Sequence, residues 1–123
     1  MLIPTEALEY FNNAIYYPLL LVVLGRDKAA IEVGDFKFKG PYLKIIERAE
    51  DLVSDDFKQV NIYFRQHNMK LNKLGNDGTF TEYEFIYEGY SDKRRYLNMR
   101  LRNRTEELLG EYLMKGPIQI ASK

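Results

Sequence analysis

The apolar and polar positions of the chain first alternate with the period of an α-helix. Thr5 can cap this first helix, because its hydroxyl accepts from an otherwise unpaired early N–H group. The apolar side chains that follow recur at helical spacing: Ala7, Leu8, Phe11, Ala14 and Ile15. Pro18 would clash with the carbonyl group four residues before it. We therefore expect Pro18 to begin a second helix rather than to kink the first.

Residues 27–39 fit two different structures. Helical spacing continues to Ile31, and Gly34 is a suitable left-handed stop for a helix. A tight hairpin also fits, because Phe36 and Phe38 alternate with polar residues after a turn at Gly34 and Asp35. The pattern alone leaves both alternatives open.

The middle of the chain predicts two helices in succession. After Gly40 and Pro41, residues 42–53 carry apolar side chains at i, i+3 and i+4 with charges between them. Ser54 is a suitable new N-cap, and two aspartates follow it, where the helix dipole favours negative charge. We expect the second of these helices over residues 55–67.

The second half of the chain predicts a β-hairpin and a last helix. Glycine and asparagine within residues 75–78 tolerate positive φ and mark a turn, and residues 79–87 alternate as a strand does. From Asp92 the spacing is helical again, up to Gly116 and Pro117. We predict a mainly α (α+β) fold, a compact helical domain of four to five helices with one β-hairpin near residues 69–88. It would form a single domain over residues 1–116 with a short tail at 117–123.

Composition excludes several classes of protein. The chain has 18 basic and 18 acidic residues, and this balance argues against a surface that attracts nucleic acid everywhere. The absence of cysteine excludes a disulfide framework and fits a reducing compartment. The most apolar run, residues 14–24, is shorter than the roughly 20 residues that span a bilayer, and no basic signal-peptide segment precedes it. We expect a cytoplasmic protein without membrane contact.

The sequence offers no set of side chains for catalysis. His67 is the only histidine, and no acidic residue stands three or four positions from it, so packing or capping is its favoured role. Lys44, Arg48 and Lys58 stand three or four positions from several of the acidic residues within 47–56, which is typical of a solvated, ion-paired helix face. We expect a protein that is not an enzyme and has no catalytic residues, no metal, no cofactor and no small-molecule substrate.

Basic side chains concentrate in one short segment. Residues 93–104 hold six cations and no acid: Lys93, Arg94, Arg95, Arg100, Arg102 and Arg104. Arginine binds phosphate and carboxylate groups through two parallel hydrogen bonds. This segment, with Lys58 and Arg65, is therefore a candidate contact for nucleic acid or an acidic partner. The same arginines could instead pair with the protein's own acids, and both alternatives stay open.

Tyrosines form a candidate interface. The chain has ten tyrosines and no tryptophan, and tyrosine is enriched where proteins contact each other, although the same rings could fill a core. The candidate interface residues are Tyr16, Tyr17, Leu20, Tyr90 and Tyr96. We favour a non-enzymatic interaction or regulatory protein that binds a protein partner or a second copy of itself.

The predicted order of elements supports one alternative function. A helix, a turn, a second helix and a hairpin occur in this order in winged helix-turn-helix proteins that bind DNA. Residues 55–67 would then be the recognition helix, with Lys58, Asn61 and Arg65 toward the DNA, and residues 75–78 the wing. The two aspartates at the start of this helix weaken the alternative, because phosphate contacts dominate DNA affinity.

Several short runs resemble small proteins of Bacillus-type bacteria. These runs are Gly-Pro-Tyr-Leu-Lys at residues 40–44, Phe-Ile-Tyr-Glu-Gly-Tyr at 85–90, Tyr-Leu-Asn at 96–98 and Leu-Arg-Asn at 101–103. The resemblance extends over most of the chain. It implies a bacterial, cytoplasmic protein, and the group carries no activity that could be transferred.

Overall fold

Three helices and a three-stranded antiparallel sheet make up the part of the chain that the computed structural model describes, residues 2–121 with side chains through Lys115. The elements are α1 (Thr5–Val33), α2 (Lys39–Gln66), β1 (Met69–Asn76), β2 (Phe80–Tyr87), β3 (Tyr90–Leu97) and α3 (Asn98–Ala121). The strand order is β1-β2-β3. The prediction of four to five helices with one hairpin is therefore wrong. Helix α3 also runs past its predicted end at Gly116 and Pro117.

Helix α1 is a single helix of 29 residues that contains Pro18. The expectation that Pro18 begins a second helix is wrong. Proline in a helix interior costs about 3 kcal/mol. Burial on both sides offsets this cost, because Phe11 before the proline and Leu20 and Leu24 after it are almost fully buried.

The open question at residues 27–39 is decided in favour of the helix. Helix α1 continues to Val33, and the N–H group of Gly34 donates to the Ile31 carbonyl oxygen at 3.2 Å. No strand forms over residues 34–38, so the hairpin alternative is wrong. The connection to α2 is a short loop.

Helix α2 is also continuous, so the two predicted helices over residues 42–53 and 55–67 are in fact one. Ser54 does not begin a new helix, because the buried residues Ala49, Val53 and Val60 share one helical face across it. Pro41 lies in the first turn, where its missing N–H group breaks no helical hydrogen bond. The helix ends as Asn68 adopts a left-handed φ of 49°.

Strands β1 and β2 pair in the region expected for the hairpin. Asn76 Oδ1 accepts from the Gly78 N–H at 2.9 Å, and Asp77 Oδ1 accepts from the Thr79 and Phe80 N–H groups at 2.9 and 2.8 Å. These two hydrogen bonds to Asp77 hold the pKa of its carboxyl below the ordinary value. Gly78 takes a φ of 93°, as such a turn requires.

Strand β3 replaces the beginning of the predicted last helix. It follows β2 through a two-residue turn in which Glu88 and Gly89 have φ values of 47° and 85°. Its outward-facing Lys93 and Arg95 lie opposite Glu84 and Glu82 of β2. Such opposite-charge pairs across strands stabilise an edge strand despite its basic composition.

The core consists of two clusters that α1 connects. The first lies between α1 and the sheet, where the rings of Phe11 and Phe85 stack with centroids 4.4 Å apart. The second lies farther along α1, where Leu20 and Leu24 pack with Val53 of α2 and Tyr112 of α3. Because α1 contributes to both clusters, it fixes the positions of the sheet and of α3 relative to each other.

Helix α1 is, among the described residues, the one helix long and apolar enough to cross a membrane. Its most apolar stretch has a mean hydropathy of 1.2, and 33% of that stretch is buried against the rest of the protein. Core helices pass the same test of length and composition. The expectation of no membrane contact therefore stays a prediction, although the length argument on which it was based no longer holds.

Candidate functional site

A polar cleft of about 730 Å³ lies between the first half of α1, the end of β3 and the beginning of α3. Four of the predicted contact and interface residues line it: Tyr16, Tyr96, Arg100 and Arg104. Asn12, Asn13 and Asn103 add side-chain amides to the same walls. We call this site the arginine cleft. It is rich in hydrogen-bond donors, because arginine and the amides donate and each tyrosine carries a hydroxyl.

A hydrogen bond between α1 and β3 holds one wall of the arginine cleft. The Tyr96 hydroxyl donates to Asn12 Oδ1 at 2.6 Å, and Asn12 Nδ2 donates to the Leu8 carbonyl oxygen at 3.0 Å. Burial raises the pKa of Tyr96 to about 12, so its hydroxyl keeps its proton at neutral pH. The orientation of this wall is thus fixed before any ligand binds.

Tyr16 lies in the same cleft and is mostly buried. Burial raises the pKa of its phenol, and the positive charges of Arg104 and Arg100 oppose that rise. The two guanidinium groups therefore act on one point inside the cleft. The charge of Glu107, which also lines the cleft, acts on the phenol in the opposite sense.

The two arginines differ in their partners. Arg104 Nη1 lies 3.0 Å from Glu107 Oε1 and 3.5 Å from Glu111 Oε2. Arg100 makes no ion pair with any described side chain, and the first turn of α3, in which it lies, holds no acidic residue. The N-terminus of a helix carries a partial positive charge of its own. Arg100 therefore adds a cation where the backbone is already positive.

The other predicted cations do not join this site. Arg94 points to the inner side of the sheet, where its Nε donates to Asp92 Oδ2 at 2.8 Å. The Arg95 guanidinium lies 4.0 Å from the centre of the Phe80 ring. Lys58 lies 4.0 Å from Asp55 on α2, and Lys93 lies opposite Glu84 of β2. Arg65 and Arg102 are exposed outside the arginine cleft. The structure thus divides the predicted basic segment into separate surfaces.

The remaining predicted interface residues serve the core. Leu20 is fully buried, so its prediction as an interface residue is wrong. Tyr17 contacts the edges of Phe57 and Tyr112, with ring centroids 6.5 and 6.1 Å apart. Tyr90 packs against the first core cluster. Of the predicted interface residues, only Tyr16 and Tyr96 line the arginine cleft.

Comparison with known proteins places the chain in a family. The YhjD protein family matches residues 2–117. The chain belongs to this family. A relative from Bacillus subtilis (strain 168), described as uncharacterized protein YhjD, is 31% identical over 108 residues, which is 88% of this chain and 90% of the relative. No solved structure matches the chain.

Membership of the YhjD family confirms the resemblance to small Bacillus-type proteins. The part of the chain that matches the family includes every described side chain of the arginine cleft. No group of three or more His, Asp or Glu side chains within residues 2–115 is arranged to hold a metal ion. The family assignment adds no ligand to this site.

A second groove, of about 460 Å³, lies beside the turn between β1 and β2. Its walls are mainly apolar, from Leu19, Val22 and Val23 of α1 and from Leu109 of α3, with Arg102 at its rim. The polar groups at one end are paired with each other, because Thr81 donates to Asn98 and Asn98 donates to Asn76. Sequence reasoning missed this groove, and the apolar run before Gly25 was its only signal. Arg100, which has no ion-pair partner among the described residues, favours the arginine cleft as the candidate site.

Proposed function

We propose that this protein is a non-enzymatic binding protein whose arginine cleft holds an acidic segment of a protein partner. The observation that carries the proposal is Arg100, a cation without an ion-pair partner among the described residues, in a cleft shared with Tyr16 and Arg104. A carboxylate in this cleft would accept hydrogen bonds from the guanidinium groups. Hydrogen bonds in which both groups are charged are about twice as strong as neutral ones.

The preorganisation of the cleft supports binding by a protein segment. The Tyr96 hydroxyl is already committed to Asn12, so binding does not have to order this wall. Tyrosine and arginine are also the residue types that are enriched at protein interfaces. The arginine cleft therefore combines charge recognition with rigid aromatic contact area.

The distribution of charge favours a protein over nucleic acid. Nucleic-acid-binding proteins gather their cations on one face, whereas here Lys93 and Arg95 lie opposite Glu84 and Glu82 of β2, and Arg94 is paired with Asp92. A winged helix-turn-helix also needs a separate recognition helix. Residues 55–66 instead continue α2, and Asp56 of that segment is hydrogen-bonded to Tyr112.

A pair of arginine variants tests the proposal. Arg100→Gln and Arg102→Gln each remove one positive charge from an exposed side chain near the start of α3. Only Arg100 lines the arginine cleft, whereas Arg102 lines the second groove. The probe is a fluorescein-labelled polyglutamate peptide, and its anisotropy is measured at low salt with both variants and the wild type. We expect Arg100→Gln to weaken binding by about tenfold or more. Arg102→Gln should stay within about twofold of the wild type.

Two results would reject binding of an acidic protein segment in the arginine cleft. Equal losses in the two variants would show general charge attraction and reject the cleft as the site. No binding of the peptide, together with salt-sensitive binding of short duplex DNA, would reject a protein partner in favour of nucleic acid. The mass in solution of each variant is recorded alongside. A dimer that Arg100→Gln alone dissociates would identify the partner as a second copy of the chain.

A further inference from the structure

Large apolar side chains are exposed where α1 meets α2, far along the chain from the arginine cleft. We call residues 33–45 the helical tip. Val33 is 86% exposed, Phe38 is 68% exposed and Tyr42 is 52% exposed. Phe36 and Ile45 of the same segment are also exposed. Clustered apolar exposure of this kind marks an interaction site rather than ordinary protein surface.

The backbone of the helical tip is held in one arrangement. Lys39 Nζ donates to the Glu32 carbonyl oxygen at 2.8 Å and so satisfies the last turn of α1. The Phe36 ring lies directly over Gly34, where an added Cβ would stand 2.6 Å from the ring. Phe36 also lies 5.8 Å from the Tyr42 ring. These contacts present Phe38 and Val33 outward on an ordered support.

The helical tip is positively charged although the whole chain is neutral. Residues 33–45 contain Lys37, Lys39 and Lys44 against the single acid Asp35, a net charge of +2, and Glu32 at the end of α1 borders the segment. Lys37 Nζ lies 5.6 Å from the centre of the exposed Phe38 ring. Exposed rings and lysine side chains thus occupy one end of the molecule.

We propose that the helical tip docks on the surface of a bilayer that contains anionic lipid. Phe38 and Val33 enter the boundary between headgroups and acyl chains, and Lys37 and Lys44 contact the headgroup phosphates. Aromatic side chains favour this interface, and each lysine near an anionic leaflet strengthens binding about fivefold. The docking is peripheral, independent of the arginine cleft, and contrary to the sequence-based expectation of no membrane contact.

Charge also distinguishes a bilayer from a second copy of the chain. A symmetric dimer through the helical tip would bring Lys37 and Lys44 of both copies together, and like charges at an interface are unfavourable. An anionic surface instead complements the lysines and receives the apolar side chains at the same time. An anionic bilayer is therefore the occupant that fits both the exposed apolar side chains and the lysines of the helical tip.

Vesicle co-sedimentation of the full chain tests this docking. One set of vesicles is phosphatidylcholine alone, and the other contains phosphatidylglycerol as well. The tip variant carries Val33→Ser and Phe38→Ser. Its matched control carries Ile62→Ser and Met114→Ser, which remove apolar side chains that are 37% and 62% exposed elsewhere. A charge variant carries Lys37→Gln and Lys44→Gln.

We expect the wild type to sediment with the phosphatidylglycerol vesicles and not with phosphatidylcholine alone. The tip variant and the charge variant should each lose about tenfold or more in partitioning, while the control variant keeps it. No sedimentation of the wild type at low salt would overturn the proposal. An equal loss in the control variant would overturn the assignment to the helical tip. A dimer in solution that only the tip variant dissociates, without vesicle binding, would show self-association instead.

Discussion

The Tyr112 hydroxyl donates a hydrogen bond to the Asp56 carboxylate and thereby joins α3 to the middle of α2. Tyr112 is only 3% exposed and belongs to the second core cluster. Burial and this hydrogen bond both raise the pKa of the Tyr112 phenol well above its ordinary value. This hydrogen bond gives Asp56 a partner in the middle of α2, where the sequence predicted the start of a new helix.

Loss of the Asp56 carboxylate should therefore destabilise the fold. We expect Asp56→Ala to lower the free energy of unfolding by about 1–3 kcal/mol, because it leaves a buried hydroxyl without its acceptor. Asp55→Ala is the matched control, since Asp55 is exposed and 4.0 Å from Lys58, and it should change stability by about 0.5 kcal/mol or less. Urea denaturation measures both. Equal effects would mean that the hydrogen bond contributes no stability.

The stacked rings of Phe11 and Phe85 should dominate the first core cluster. Both side chains are fully buried, so we expect Phe11→Ala to cost about 3–5 kcal/mol through lost burial and the cavity left behind. Phe38→Ala, at an exposed phenylalanine of the helical tip, should cost about 0.5 kcal/mol or less. Thermal denaturation followed by circular dichroism compares the two. A large loss in Phe38→Ala would show that the tip contributes to folding rather than to binding.

Two glycines with open space around them should respond to alanine in opposite directions. Neither Gly25 nor Gly89 has an atom within 4 Å of an added Cβ, but Gly89 has a φ of 85° whereas Gly25 lies within α1. We expect Gly25→Ala to stabilise the protein by about 0.5–1 kcal/mol and Gly89→Ala to destabilise it by about 1 kcal/mol. The midpoints of urea denaturation test this. A shift of the same sign in both variants would contradict the left-handed turn between β2 and β3.

Alkaline pH should weaken the wall of the arginine cleft. The pKa of Tyr96 is about 12 in the fold against 10.0 for an unperturbed tyrosine. A raised pKa means that the fold favours the neutral phenol, so this stabilisation is fully present below pH 10.0 and is lost as the pH rises toward 12. We expect the stability difference between the wild type and Tyr96→Phe to shrink across this range.

Urea denaturation at neutral pH and at two alkaline values measures that difference. Tyr42→Phe, which removes an exposed hydroxyl, is the control and should follow the wild type at every pH. A constant difference between the wild type and Tyr96→Phe would contradict a buried, proton-donating Tyr96.

The residue types of the candidate site were predictable, but their assembly was not. Tyr16, Tyr96, Arg100 and Arg104 each stand out by charge or aromatic character. Their convergence depends on a contact between Tyr96 and Asn12, which are 84 positions apart. No local pattern specifies such a pairing, and the prediction of a helix from Asp92 placed Tyr96 on the wrong element. Leu20 was assigned to an interface because apolar character does not tell a core residue from a surface residue.

The sequence pattern was sufficient to predict turns and helix ends that depend on interactions between neighbouring residues. Asn76, Asp77 and Gly78 carry the turn between β1 and β2 through their own side-chain and backbone chemistry, and Asn68 ends α2 by adopting a positive φ. Tertiary packing decided the rest. Buried contacts on both sides outweigh the local breaks at Pro18 and Ser54. Antiparallel pairing with β2 makes a strand of residues 90–97, although the spacing from Asp92 onward predicted a helix. Burial and cross-strand pairing contribute more free energy than single-residue propensity, and only the folded chain brings those partners together.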